Sequence, residues 1–509
     1  MKAGRQLLRP ETSLSHSSAI VSVSLLAAAL FGAGQALLLV FIEGEGSKTD
    51  AFLAAYALYV VFAIFGGSLR ASVVPLLRPS GTEEDFERQV SELCSRILGI
   101  ALAAFVLLLA ASPVVGQALT LGLPSDARWT AVLSLLILSP AAFCQIYAAT
   151  LSASLTAARR FAFSSLLYVL AGAVALVCSA VLIAVIGVLG AAIGLLAGAV
   201  LVLVGHLLYL RSFGVQLQPR LSGLRDRAER DLALLLIVGA AVAIAFQANL
   251  AISLACVSED AGAITAYTYA FFMISLFLSM SGSSLALVTL PQLVTRIAQE
   301  GPAAARDHLE TVAPYMFAVV APLLLGFAAY GKPVLDAVFG DSLTQSTIDL
   351  IYDIGLLLSV MAIPTALMFL TTSITLATGR SKRFLGVGLA SVLVHAAIVI
   401  PLSTLGPRAV ATGQIASSVV MTSLLMAATF GSGWFAVALR ALGRSLPALA
   451  LASVFLLLRL PLGSDVSLAE ALVFSALSAI AYAVLVVTLW PRVGAAFVDL
   501  VRRPAVQGR

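Results

Sequence analysis

Long apolar runs separated by short polar segments dominate the pattern of this chain. Runs of about 20 residues, long enough to cross roughly 30 Å of hydrocarbon as a helix, recur from residue 17 to residue 491. The runs lack the strict polar and apolar alternation of a membrane β-barrel, and backbone groups in hydrocarbon must satisfy one another. The pattern therefore predicts an all-α integral membrane protein.

Counting the runs predicts about 14 transmembrane helices. The predicted spans are 17–42, 51–77, 97–119, 130–157, 166–186, 188–210, 232–256, 263–293, 311–331, 349–378, 384–404, 409–431, 446–460 and 469–490.

Composition and charge agree with a bilayer protein. Of 509 residues, 61% are apolar and 11% are charged. If the 14 spans alternate, 25 of the 30 Lys and Arg residues fall on one side, and the positive-inside rule then predicts that both termini are cytoplasmic. The net charge of +5 follows from this topology, so nucleic acid is not expected as a partner. The four cysteines show neither disulfide nor metal-ligand spacing, and no metal is expected.

Two stretches, 49–75 and 264–291, share a pattern of aromatic and small residues closed by a proline. An offset of 216 residues aligns Pro75 with Pro291 and Gly66 with Gly282. Each stretch would form the second span of a set of six. Because six is even, both sets begin in the cytoplasm, which predicts two parallel six-helix lobes followed by a C-terminal helix pair.

The predicted organisation has six parts. They are a cytoplasmic N-terminal segment (1–16), an N-lobe (17–212), a basic cytoplasmic linker (213–231), a C-lobe (232–431), helices 13 and 14 (432–491) and a cytoplasmic tail (492–509).

Polar, charged and aromatic side chains within these spans are candidates for the wall of a substrate cavity. The candidates are Gln35, Tyr56, Arg70, Gln247, Asn249 and Phe272. A polar group buried in hydrocarbon without a partner costs several kcal/mol, so the amides either bond across helices or face a hydrated cavity. Arg70 either extends its charge to the membrane surface or lines such a cavity.

No G-x-x-x-x-G-K-[ST] loop for ATP occurs, and no cofactor is expected. Energy for transport would then come from ions, the membrane potential or the substrate gradient. Asp50 and Asp353 are the ion-coupling candidates, although Asp50 is also placed to cap the N-terminus of its own helix. Gly66, Gly67 and Gly282 are hinge candidates.

The sequence TDAFLAAYALYVVFAIF, with VVPLL after it, resembles the second helix of the MurJ/MviN lipid II flippase family. YTYAFFMISLFLSMSGSSLALVTLPQLV resembles the eighth helix of that family. The family lies within the multidrug/oligosaccharidyl-lipid/polysaccharide (MOP) exporter superfamily. The resemblance implies a flippase of the bacterial inner membrane, active in peptidoglycan and cell-wall synthesis. It would move a polyprenyl-pyrophosphate-linked saccharide from the inner to the outer leaflet by alternating access. Membrane lipids and cell-envelope synthesis enzymes would be its partners.

One departure from the family concerns charge. The resemblance implies cavity arginines in helix 1, in the middle of helix 2 and early in helix 8. Here helix 1 has none, and the other two positions fall near Phe62 and Phe272, which leaves Arg70 as the cation expected near the cavity. Alternatives are therefore an exporter of polysaccharides, drugs or natural products, or a scaffold that does not transport. A membrane glycosyltransferase would need larger outer loops. The C-terminal helix pair could supply a dimer face, a lipid groove or stability.

Overall fold

The chain folds almost entirely into α-helices, as a computed structural model shows for residues 14–73, 83–158, 160–213, 215, 227–260, 262–278, 293, 296–297, 299–301, 303–378, 383–462, 466–490 and 493. Nine helical segments among these residues are long and apolar enough to span a membrane, and three shorter apolar helical segments accompany them. The prediction of an all-α membrane protein is confirmed. The number of spans and the location of the termini stay predictions.

The helices are α1 (Leu14–Glu43), α2 (Ser47–Val73), α3 (Glu83–Leu119), α4 (Ser125–Ala157), α5 (Phe161–Ile186), α6 (Leu189–Ser212), α7 (Arg227–Cys256), α8 (Ala263–Leu278), α9 (Ala303–Phe339), α10 (Gln345–Ala377), α11 (Arg383–Leu402), α12 (Pro407–Phe430), α13 (Trp434–Ala452), α14 (Val454–Arg459) and α15 (Leu468–Leu489).

Local sequence explains several helix ends. Gly406 has a φ of 89°, a left-handed conformation that glycine adopts without steric cost, and Pro407 follows as the first residue of α12. At α15 the side chain of Ser467 accepts from the Glu470 amide while Glu470 accepts from the Ser467 amide. This capping box satisfies donors that the first helical turn leaves free.

The first compact unit comprises residues up to Thr265 together with Phe384–Ala396. Within it α4 packs against α2, α3 and α6, α5 packs against α1 and α6, and α7 packs against α2 and α3. One core cluster in this unit includes Phe86, Ile97, Ile146 and Leu151, with Phe62 partly buried against them.

The second compact unit comprises Ala266–Arg383 and Ala397–Arg509. Here α9 is central and packs against α10, α13, α14 and α15, while α12 packs against α10 and α13. The helix α13 begins at Trp434, before the predicted span at 446. The predicted boundaries of the two lobes stay a prediction.

Candidate functional site

Asp50 is a buried carboxylate that bonds to a helix far away in sequence. Its side chain is 1% exposed, and Oδ1 accepts from the amide of Thr265 at 2.9 Å and from Oγ1 of Thr265 at 2.5 Å. Thr265 lies in the first turn of α8, where backbone N–H groups have no partner within their own helix. Asp50 itself lies in the first turn of α2, which begins at Ser47. The carboxylate therefore caps α8 and not the helix that carries it.

A buried polar ladder joins α7 to α11 in the first unit. Asn249 Nδ2 donates to Ser391 Oγ at 3.2 Å, and one turn further Ser253 Oγ bonds His395 Nε2 at 3.1 Å. His395 is 0% exposed. Asn249 Oδ1 has no hydrogen-bond partner among the described residues, and neither does the buried Oε1 of Gln247. Each buried amide thus leaves one acceptor oxygen unsatisfied within the described residues.

A similar bridge joins α1 to α5. Gln35 Nε2 donates to Ser179 Oγ at 2.8 Å. The contact of α1 with α5 corresponds to the contact of α7 with α11. Gly172 on α5 and Gly388 on α11 are 216 residues apart, the offset of the repeat, and both allow a neighbouring helix to come close. A Cβ at Gly172 would lie 3.1 Å from Phe31 Cβ, and a Cβ at Gly388 would lie 2.8 Å from the Ala241 carbonyl oxygen. Each repeat thus ties its first helix to its fifth.

The aromatic candidates are half-buried. The ring of Tyr56 lies 6.0 Å from that of Phe52 and 5.9 Å from that of Tyr59, so it belongs to an aromatic row along α2. Phe272 is likewise of intermediate exposure on α8. Their predicted role in a substrate cavity stays a prediction.

For four predicted residues the structure describes no side-chain surroundings. The side chain of Arg70 and the surroundings of Gly66 and Gly67 on α2 are not described, and Gly282 lies in a segment between α8 and α9 that is not described. Their roles as cavity cation and hinges stay predictions.

Asp353 forms an exposed ion pair. Its Oδ2 accepts from Arg408 Nε at 2.9 Å and Nη2 at 2.6 Å, and the two side chains are 39% and 64% exposed. A pair this open to solvent contributes about 0–1 kcal/mol to stability. Ion coupling through Asp353 stays a prediction, and any coupled cation would have to compete with Arg408.

A large apolar cavity lies in the second unit between α8, α9, α14 and α15, with a volume of about 900 Å³. Residues Ala318 to Leu335 of α9 line one wall, with Phe455 of α14 beside them. Both tyrosine hydroxyls of the walls are bonded within the protein, because Tyr330 OH bonds Ser478 Oγ at 3.2 Å and Tyr482 OH donates to the Ala318 carbonyl at 2.7 Å. The cavity therefore presents a surface for an apolar ligand.

The sequence did not single out this cavity, because a lipid groove was only one of three roles expected for the C-terminal helix pair. A local signal was available, since α15 carries a small residue at every fourth position and all of them line the cavity. These residues are Ala471, Ser475, Ala479 and Ala483. Positions four apart share one helix face, so this face leaves room for a ligand.

Comparison with known proteins agrees with this architecture. The structure titled "Lipid II flippase MurJ, inward closed conformation" has a TM-score of 0.69 at 16% identity, and the match covers 95% of this chain and 99% of that one. The eukaryotic MATE transporter AtDTX14 follows with a TM-score of 0.59 at 14% identity, covering 85% of this chain and 98% of that one. A MOP superfamily transporter from Pyrococcus furiosus has a TM-score of 0.55 at 18% identity, covering 89% and 99%. At these identities the similarity establishes the fold.

No curated protein sequence matches the chain significantly. The family model described as "Lipid II flippase MurJ" does match, over residues 40–428, which is most of the chain and includes both stretches that resemble the family. The chain belongs to the MurJ lipid II flippase family.

Proposed function

We propose that this chain moves lipid II, or a related polyprenyl-diphosphate-linked saccharide, from the inner to the outer leaflet by alternating access. As a family member it is a multi-pass protein of the bacterial inner membrane and a transporter. Its substrate is lipid-linked, and membrane lipids surround it. Enzymes of cell-envelope synthesis are proposed partners.

The apolar cavity of the second unit is the observation that carries the substrate proposal. Its wall on α9 runs from Ala318 to Leu335, which at 1.5 Å per residue is roughly 25 Å. That length is close to the roughly 30 Å hydrocarbon thickness of a bilayer. A polyprenyl chain placed in this groove stays in apolar surroundings while its headgroup crosses.

The headgroup is what requires a protein. Each sugar hydroxyl moved without a partner through hydrocarbon costs roughly 2–7 kcal/mol, and a diphosphate costs more. Gln247 and Asn249, whose buried acceptor atoms have no partner among the described residues, stay proposed contacts for such a headgroup.

Complementation of cells depleted of their own lipid II flippase tests this function. We expect growth to be restored, and purified protein in vesicles to expose lipid II to a reagent confined to the outer face. Normal expression without rescue, together with no exposure in vesicles, would refute the proposed substrate.

A second candidate is an exporter of an amphipathic compound without a diphosphate. Phe62 and Phe272 favour it, because they lie near the positions at which the family resemblance implies arginines. Transport of such a compound, with no movement of lipid II in the same vesicles, would select this alternative.

A further inference from the structure

A buried glutamate in the second unit holds two arginines in place. The side chain of Glu310 on α9 is 9% exposed. Its Oε1 accepts from Arg440 Nε at 2.7 Å, and its Oε2 lies 3.1 Å from Arg444 Nη2. Arg440 and Arg444 are four residues apart on α13, so they share a face of that helix.

Within the described part of the chain, both guanidinium groups have most of their N–H donors without a partner. An arginine side chain carries five N–H donors, and the ion pairs occupy one nitrogen of each. The side chains are 54% and 53% exposed. Arg306 lies one turn before Glu310 on α9 and gives one donor to the Phe430 carbonyl at 3.5 Å. Three arginines against one carboxylate leave this cluster a net charge of +2.

A neighbouring arginine shows the opposite arrangement. Arg296 bonds the carboxylates of Glu300 at 2.9 Å and Asp307 at 3.0 Å. These two carboxylates raise the pKa of the Arg296 guanidinium above its ordinary value by hydrogen bonding and charge attraction. Its charge is more than neutralised, so it has little left to offer an anion.

The position of the arginine cluster relative to the apolar cavity suggests a ligand. Glu310 precedes Ala318, the first cavity residue on α9, by eight residues, which is about 12 Å along the helix. Arg306, Arg440 and Arg444 all belong to the predicted cytoplasmic side. A lipid whose chain lies in the cavity would therefore have its headgroup at the level of these arginines. Guanidinium groups bind phosphate oxygens in pairs of parallel hydrogen bonds.

We propose that Arg306, Arg440 and Arg444 form an entry site for the diphosphate of a polyprenyl-linked lipid whose chain occupies the cavity, with Glu310 as the positioning residue. This rests on the proposed function. The site would supply cations at the cytoplasmic surface. This matters because Phe62 and Phe272 lie near the positions at which the family resemblance implies cavity arginines.

Lipid binding to the full-length protein in nanodiscs tests the site. The probes are undecaprenyl diphosphate, undecaprenol, inorganic pyrophosphate and phosphatidylglycerol. We expect the wild-type protein to bind undecaprenyl diphosphate at least tenfold more tightly than undecaprenol, and R440Q/R444Q to remove most of this preference without changing undecaprenol binding. The control R296Q should retain the preference, because Arg296 is already paired. R440K/R444K should restore it only in part, since lysine keeps the charge but loses the planar fork.

R440Q/R444Q leaves Glu310 buried without a cation, which can impair folding. The triple variant E310Q/R440Q/R444Q removes that problem and should lose the diphosphate preference equally. Retention of the preference in this folded triple variant would overturn the site, as would equal competition by phosphatidylglycerol or by inorganic pyrophosphate alone.

Protein that binds undecaprenyl diphosphate through these arginines but moves no lipid-linked saccharide refutes only the proposed function. Wild-type transport rates in the triple variant refute only the site.

Discussion

Asp50 joins two helices whose contacting residues are 215 positions apart in sequence. Replacing it with alanine leaves the amide and hydroxyl of Thr265 without an acceptor in a buried place. We expect D50A to lower the free energy of unfolding by about 1–3 kcal/mol, the usual cost of an unsatisfied buried donor. Denaturant titration in detergent measures this loss.

A double-mutant cycle with T265V checks that the contact is responsible. D50A/T265V should lose less than the two single variants together, because both remove the bond that the Thr265 hydroxyl donates to Asp50. D353A is the matched control, since its exposed pair with Arg408 is worth about 0–1 kcal/mol. Equal losses for D50A and D353A would contradict the argument.

The sequence predicted that Asp50 and Asn249 form hydrogen bonds but did not identify their partners. An acid preceding an apolar run predicts a helix cap, and Asp50 is one, but the capped helix is α8. The partner could not be identified from the sequence, because it depends on how distant helices pack. For Asn249 the sequence left open a bond across helices or a polar cavity. The structure shows one amide atom bonded to Ser391 and the other without a partner among the described residues.

At the level of helices, α5 and α6 pack through glycines on α6. A Cβ at Gly194 would lie 2.7 Å from the Ala175 carbonyl oxygen and would also collide with Ser179, the partner of Gln35. We therefore expect G194A to cost about 1–3 kcal/mol of stability by overpacking. Thermal unfolding of the detergent-solubilised protein measures it.

Gly386 on α11 provides the control, because a Cβ there would meet nothing within 4 Å. G386A should be neutral or should stabilise by up to about 1 kcal/mol through helix propensity. A destabilisation of G386A as large as that of G194A would mean that steric overlap is not the cause.

Helix boundaries could be predicted from the sequence where a helix carries no charged residues, and less well where it carries charged residues that form ion pairs with another helix. The apolar runs predicted the membrane helices. By contrast, α13 begins at Trp434, whereas the sequence predicted a start at 446. The predicted start was late because Arg440 and Arg444 give residues 434–445 the polarity of a loop. Their partner Glu310 lies on another helix, and only the three-dimensional contact shows that the charges belong in a helix.

Across the whole molecule, helix lengths repeat between the two halves of the sequence. The helices α4 and α10 each have 33 residues, and α6 and α12 each have 24. The packing of α3 on α4 recurs as α9 on α10, and that of α4 on α6 recurs as α10 on α12. The repeat was predicted from one weak alignment of two helices. The cavity was not, because two of the helices that line it, α14 and α15, lie outside the repeat.

Transport should depend on that cavity remaining open. Tryptophan at Ala479 or Ala483 of α15 would project into it and fill space that the proposed polyprenyl chain needs. We expect A479W and A483W to lower the rate of lipid II transport in vesicles at least tenfold with little change in unfolding temperature, because the new side chain enters an existing void and displaces no packed atoms.

A476W is the matched control, since Ala476 is exposed on the same helix but does not line the cavity. The loss should also be smaller for a substrate with a short prenyl chain, which leaves most of the groove empty. If A479W and A483W transport as fast as A476W, the lipid chain travels along a path outside this cavity.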